Sequence, residues 1–318
     1  MAHMTGIFSH PDCRKHDMGY GHPECPERLD AIHDRMLASG LSGAVEQRTA
    51  HSASIADLEL AHSLRHIATI RGMADLLTEN LAAGGPSRSQ IDPDTSINAH
   101  TWDAALRSAG AAICAVDAVI AGELRNAFCA TRPPGHHAQR GRAMGFCFFN
   151  NAAIGALHAL RRHGLSRVAI IDFDVHHGNG TEDIVAGDQR ILMASFYQHP
   201  FYPEDAPHSP ASNLVNIPVP AYTKGDAIRE IVQTQWLPRL EAFSPEMIFI
   251  SAGFDAHRED DMGQMGLVES DYAWMTSKIV ELADRHARGR IVSCLEGGYA
   301  LSALARSVEA HVRALAGL

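Results

Sequence analysis

At 318 residues the chain can form one large α/β domain or two average ones, and either buries a substantial core. Its 46% hydrophobic and 20% charged composition is that of a globular protein, and no apolar run approaches the roughly 20 residues that span a bilayer, so a soluble, non-membrane protein is expected. A net charge of −10, from 27 basic against 37 acidic residues with His neutral, argues against a general polyanion-binding surface, so nucleic acid is not expected as a direct partner.

Met1-Ala2-His3 ahead of Met4 resembles a cloning remnant and is set aside from the fold, leaving 4–318 as one expected catalytic domain. Along the chain, short β-branched runs alternate with segments of helical period, without repeat, low-complexity tract or linker. Strands are predicted at Gly6–His10, Asn126–Thr131, Arg167–Phe173, Arg190–Phe196, Glu246–Ala252 and Arg290–Leu295. Helices are predicted at Pro26–Leu37, Ile55–Leu60, Trp102–Ile120, Ala152–His163, Asp226–Glu241, Ser270–His286 and Leu301–Leu315. This alternation predicts a mostly parallel sheet covered by helices on both faces. The stretch His199–Tyr222, with six prolines and two histidines, reads as a long ordered loop. Cys13, Cys25, Cys114, Cys129, Cys147 and Cys294 are scattered, with no Cys-x-x-Cys pair and no amino-terminal signal segment. Neither a disulfide framework nor a thiolate zinc site is indicated, and the cytoplasm is the expected compartment.

Polar clusters follow four of the predicted strands, at the edge where open parallel sheets bind ligands. They are Arg132-Pro133-Pro134-Gly135-His136-His137, Asp172-Phe173-Asp174-Val175-His176-His177-Gly178-Asn179-Gly180, Ser251-Ala252-Gly253-Phe254-Asp255 and Glu296-Gly297-Gly298-Tyr299. Asp174, His176 and Asp255 offer two carboxylates and one imidazole to a divalent ion and leave a position for water, as a hydrolytic zinc centre requires. Strand alternation puts Asp172 on the same face as Asp174, and the turn through Gly178 and Gly180 can bring Asn179 back to the pocket. A phenol at Tyr299 can stabilise an oxyanion. The bland alternatives are surface histidines at 136 and 137 and a plain turn at Gly297-Gly298. His257, two residues after Asp255, reads as a rim or surface residue rather than a fourth ligand.

Together with Gly145-Phe146-Cys147-Phe148-Phe149-Asn150-Asn151, these motifs resemble the zinc-dependent histone deacetylase superfamily, and the match spans nearly the whole chain. Tyr20-Gly21-His22-Pro23-Glu24-Cys25-Pro26-Glu27-Arg28 resembles the entrance region of its class II branch, as does Asn179 where class I members carry Asp. The resemblance implies a single-domain arginase-deacetylase fold with a sheet of about eight strands. It also implies one catalytic zinc ion on Asp174, His176 and Asp255, although ferrous iron suits such a donor set too. Catalytic roles fall to Tyr299, to His136 paired with Asp172, and to His137 paired with Asn179. Of the two histidines, His137 is the expected general base and acid, with a pKa near 6.5.

The resemblance makes Gly145 and the rings of Phe146 and Tyr202 the walls of a tunnel for an acyl-lysine stem, with the Tyr202 hydroxyl at the rim. Met262 stands where acetylpolyamine-specialised relatives carry Glu, which points to an acyl-lysine protein or peptide, with a small acetylated amine as the alternative. Glu259, Asp260 and Asp261 are expected to keep the mouth acidic. A structural potassium is implied at Asp172, Asp174, His176, Ser195 and Phe196, and a second near Val185 and Asp188. A manganese ureohydrolase would need an acid where this chain has Gly178, and a silent acyl-lysine binding protein would be expected to lack zinc ligands or the tyrosine. The oligomeric state is left open.

Overall fold

Eight strands form one sheet in the computed structural model, which describes residues 4–204 and 209–318. The first half of the chain runs β1 (Thr5–Ser9), α1 (Glu27–Ala38), β2 (Glu46–Thr49), α2 (Ile55–Leu58), α3 (Leu64–Ala82), β3 (Arg88–Gln90), β4 (Ser96–Asn98), α4 (Thr101–Ile120), β5 (Asn126–Cys129) and α5 (Asn151–Arg162). It continues through β6 (Val168–Asp172), α6 (Asn179–Val185), β7 (Ile191–Gln198), β8 (Leu214–Val219), α7 (Gly225–Ile231), α8 (Leu237–Phe243), β9 (Met247–Ala252), α9 (Glu269–His286), β10 (Ile291–Leu295) and α10 (Leu301–Ala316). The sheet order is β2-β1-β5-β10-β9-β6-β7-β8, and every pairing in it is parallel. β3 and β4 form a separate antiparallel pair.

Strand alternation divides the core between two faces. Val168 and Ile170 pack with α3, α4 and α5, whereas Ala169 and Ile171 pack with α1, α9 and α10. All residues of β6, β9 and β10 are buried, which explains their near-continuous apolar sequence. The alanines of α4 let it approach closely, and a side chain at Gly110 would collide with the His51 carbonyl.

Three expectations need correction. The stretch His199–Tyr222 is not all loop: Leu214–Val219 forms edge strand β8, and residues 205–208 lie outside the described set, as do Met1, Ala2 and His3. Pro218 is tolerated because β8 pairs on one side only. The helix predicted over Asp226–Glu241 carries a π turn at Val232–Trp236 just before Pro238, and the Leu237 N–H bonds to the Val232 carbonyl. Pro238 has no N–H for the regular ladder, and widening the turn accommodates its ring. Finally, α3 was not anticipated, although its buried side is a helical stripe of His66, Ile67, Ile70, Ala74 and Leu77. Among the described residues no helix is long and apolar enough to cross a membrane.

Candidate active site

β5, β10, β9 and β6 are consecutive neighbours in the sheet, so the four polar clusters at their carboxyl ends meet. Asp174 and His176 follow β6, and Asp255 follows β9. All three are buried, and their ligand atoms lie within 4.8 Å of one another. The Nδ1 atom of His176 lies 3.0 Å from Asp174 Oδ1 and 3.2 Å from Asp255 Oδ2. Backbone groups aim both carboxylates: Val175 N–H donates to Asp255 Oδ1 at 2.9 Å, and Gly297 N–H donates to Asp174 Oδ2 at 2.9 Å. A side chain at Gly297 would strike Asp255 Oδ2, so only glycine leaves room there.

Burial, then the neighbouring Asp174 charge, push the Asp255 carboxyl up. Burial opposes the charge of His176, but its bonds to Asp174 and Asp255 outweigh it and raise the imidazole to about 10. Burial opposes charge on Asp174 too, but the positive His136 and His176 hold it well below its ordinary value, so the protons of the cluster sit on His176 and Asp255. Among the described residues Asp255 Oδ2 accepts no hydrogen bond of proper geometry, its nearest donor being the ion-pair contact with His176 Nδ1 at 3.2 Å. Two carboxylates and an imidazole, one oxygen of them unsatisfied, fit a divalent cation in place of those protons.

The turn at Pro133-Pro134-Gly135 is tied to β10 by Glu296 Oε2, which accepts the N–H groups of Gly135 at 2.6 Å and His136 at 3.1 Å. His136 Nδ1 pairs with Asp172 Oδ2 at 3.0 Å, and His137 Nδ1 pairs with Asn179 Oδ1 at 2.7 Å, as the sequence predicts. The two environments differ in sign. Burial opposes charge on His136, but Asp174 and Asp172 hold its pKa well above the ordinary value. Burial and the positive His136 and His176 hold His137 well below it, so the expectation of a pKa near 6.5 for His137 is corrected downward.

A slot of about 340 Å³ opens above this cluster, lined by Asp94, His137, Gly145, Phe146, His176, Phe201, Tyr202, Asp261, Met262 and Tyr299. Gly145, Phe146, Tyr202 and Met262 are thus brought together. Phe146 adopts φ 67°, unusual for a bulky residue, and its N–H donates to Thr95 Oγ1 at 3.0 Å. Phe201, not anticipated, stacks on His176 with ring centroids 5.4 Å apart. The Tyr202 ring meets His137 edge-on at 5.2 Å. Its hydroxyl is buried without a hydrogen-bond partner among the described residues rather than exposed at the rim, since the loop turns the ring inward.

The remaining expectations divide. Asp260 is buried, not at the mouth: its Oδ2 accepts the N–H groups of Tyr299 at 2.6 Å and Ala300 at 2.9 Å. Glu259 pairs with Arg306, leaving Asp261 as the acid of that run in the slot lining. His257 is buried, 1% exposed, rather than at the rim or surface, because Leu267 pairs with its strand-like backbone and folds the loop over it. It is also outside the cluster of Asp174, His176 and Asp255. Of the residues expected to hold potassium, Asp172 and Ser195 are register partners on β6 and β7, and Phe196 stacks on Trp236. At the looser position the carbonyls of Val185 and Asp188 accept hydrogen bonds from Asn213 Nδ2, at 2.9 and 3.2 Å. Sequence reasoning places Glu24 and Arg28 only in the motif resembling an entrance region and Arg132 only in the polar cluster after β5, with no individual role for any of them. Glu24 is fully buried between both guanidiniums, and Arg28 lies 5.0 Å over the Tyr299 ring.

The chain matches the histone deacetylase domain over residues 22–315. It belongs to the histone deacetylase family. This family member is 38% identical over 288 residues to the histone deacetylase-like amidohydrolase of Pseudomonas aeruginosa, covering 88% of this chain and 73% of that protein. It is 36% identical to a probable deacetylase of Archaeoglobus fulgidus, over 94% of this chain and 82% of that one. It is also 36% identical to the polyamine deacetylase HDAC10 of Homo sapiens, over 98% of this chain and 48% of that one. The solved HDA15 HD domain superposes with a TM-score of 0.90 at 31% identity, covering 99% of this chain and 90% of that one. The protein is therefore an enzyme of the deacetylase and amidohydrolase family, with the histone deacetylase fold.

Proposed function

We propose that the protein is a zinc-dependent amidohydrolase that removes acetyl or other acyl groups from the lysine side-chain amide of proteins or peptides. The observation carrying this reading is the convergence of Asp174, His176 and Asp255 at the foot of a slot walled by Phe146 and Tyr202. Those three residues would hold the ion, which when bound supplies Lewis acidity for an amide carbonyl and a water. Asp172, Asp174, His176, Ser195 and Phe196 are the proposed holders of a structural potassium.

The chain's own groups account for the proton movements. With Nδ1–H donating to Asn179 Oδ1, His137 keeps a lone pair on Nε2 and stays neutral near pH 7, ready to take a proton from the attacking water and return it to the departing amine. His136, held positive by Asp172 and Asp174, stabilises developing negative charge. The Tyr299 hydroxyl donates to the carbonyl oxygen as that charge grows. The apolar walls take an aliphatic stem and exclude water from it.

Met262 in the lining supports acyl-lysine, since it offers no charge to a second ammonium. A second reading, an acetylpolyamine amidohydrolase, draws support from the carboxylates of Asp94 and Asp261 in the same lining. The six free cysteines support a reducing compartment, the cytoplasm.

Chelated and zinc-reloaded protein should be compared on a fluorogenic acetyl-lysine peptide and on N-acetylputrescine. The expected result is metal-dependent peptide turnover that falls on the order of 10²–10³ in Tyr299→Phe. Faster turnover of the polyamine would overturn the acyl-lysine assignment, and turnover untouched by chelation would overturn metal dependence.

A further inference from the structure

Asp117, His158 and His163 form another cluster of metal-ligating groups, at the opposite edge of the sheet from the slot. Asp117 lies near the end of α4, which leads to the start of β5, and His158 and His163 lie at the end of α5, which leads to the start of β6. The amino end of α5 reaches the active-site turn, where Asn151 Nδ2 donates to the Pro133 carbonyl at 3.2 Å. A helix of that length is roughly 18 Å long, so the two clusters are well separated.

Five residues apart on one continuous helix, two side chains point about 140° away from each other. Here α5 stops at Arg162, and His163 is its cap, so its ring turns back beside that of His158, with centroids 5.3 Å apart. Both Nε2 atoms then lie 2.7 Å from the same oxygen, Asp117 Oδ1. Among the described residues the buried Nδ1 of His158 has no hydrogen-bond partner. The carboxyl ends of α4 and α5 also converge here, and their dipoles favour a positive charge.

We propose that Asp117, His158 and His163 constitute a second divalent transition-metal site, of the kind that takes zinc through two imidazole nitrogens, one carboxylate oxygen and water. Tetrahedral zinc at these bond lengths separates its ligand atoms by about 3.3 Å. Opening the two 2.7 Å contacts by about 0.6 Å, with each ring's proton relocated from Nε2 to Nδ1 so that Nε2 offers its lone pair, makes room for the ion. Once bound, it clamps α4 to α5 and stabilises the fold without touching the slot.

The test counts metal. Tag-free full-length protein, stripped with chelator, is titrated with Zn²⁺ near neutral pH, and bound zinc per chain is measured by mass spectrometry of the ion. Wild type should bind two, His163→Ala one, Asp255→Ala one, and the double variant none. His163 is partly exposed, so its removal leaves the core intact, and deacetylase activity of reloaded His163→Ala should equal that of wild type. Excess Zn²⁺ should raise the thermal midpoint of Asp255→Ala but not that of the double variant. An unchanged count in His163→Ala overturns the second site and leaves three side chains joined only by hydrogen bonds. An unchanged count in Asp255→Ala would instead count against the proposed catalytic centre and leave the second site standing.

Discussion

Tyr299 owes its position to Asp260, a residue 39 positions away that reads in the sequence as one of three consecutive acids. Its carboxylate takes the N–H groups of Tyr299 and Ala300, and its other oxygen takes that of Met262 at 3.0 Å, so one side chain ties the end of β10 to the slot wall. Asp260→Ala should lower kcat for peptide deacetylation. On the Tyr299→Phe background it should lower kcat little further, because the phenol it positions is already gone; a double-mutant cycle on kcat measures this. Fully additive losses would separate Asp260 from Tyr299. The buried carboxylate of Glu24 is a different case, since it compensates both Arg28 and Arg132. Glu24→Gln leaves two buried guanidiniums short of charge, and a loss of about 3–5 kcal/mol in urea unfolding is expected. None of these roles was legible from single motifs. Arg132 and Glu24 are 108 residues apart, and only the fold brings them into contact.

At the scale of elements, the interior strands and the helices of the second half were legible because each carries one dominant signal. β6, β9 and β10 are short apolar runs, and α9 and α10 have helical stripes. α3 was missed because its stripe includes a histidine and Gly72 interrupts its centre, yet His66 is satisfied by the Phe148 carbonyl at 2.8 Å. Gly72 is exposed, and a Cβ there would meet nothing within 4 Å. Gly72→Ala should therefore stabilise the protein by about 0.5–1 kcal/mol, visible as a higher denaturant midpoint without change in slope. β8 was missed for the opposite reason. Proline in a strand argues against a central position, but the edge tolerates it.

The whole molecule buries histidines that its chemistry does not use. Burial lowers His16, His62 and His311 each to about 3. An unfolded chain would protonate them near 6.5, so between pH 6.5 and 3 the unfolded state binds more protons and stability falls as pH falls. Each contributes about 2 kcal/mol of destabilisation at pH 5 relative to neutral pH. Urea midpoints measured from pH 7.5 to 5 should drop steeply below 6.5, and His311→Gln should flatten the slope. A flat profile would show that these rings are not neutral and buried in solution. The sequence by itself determined which chemistry was available: the acids, imidazoles and phenol are written in short motifs directly after strands, where local chain geometry alone aims them at one edge. Only the tertiary structure decided that β5, β10, β9 and β6 are neighbours and that Asp260 and His257 turn inward. It likewise decided that His158 and His163 meet on one carboxylate oxygen. Strand order and loop burial are set by long-range packing of both sheet faces, which no local run of residues encodes.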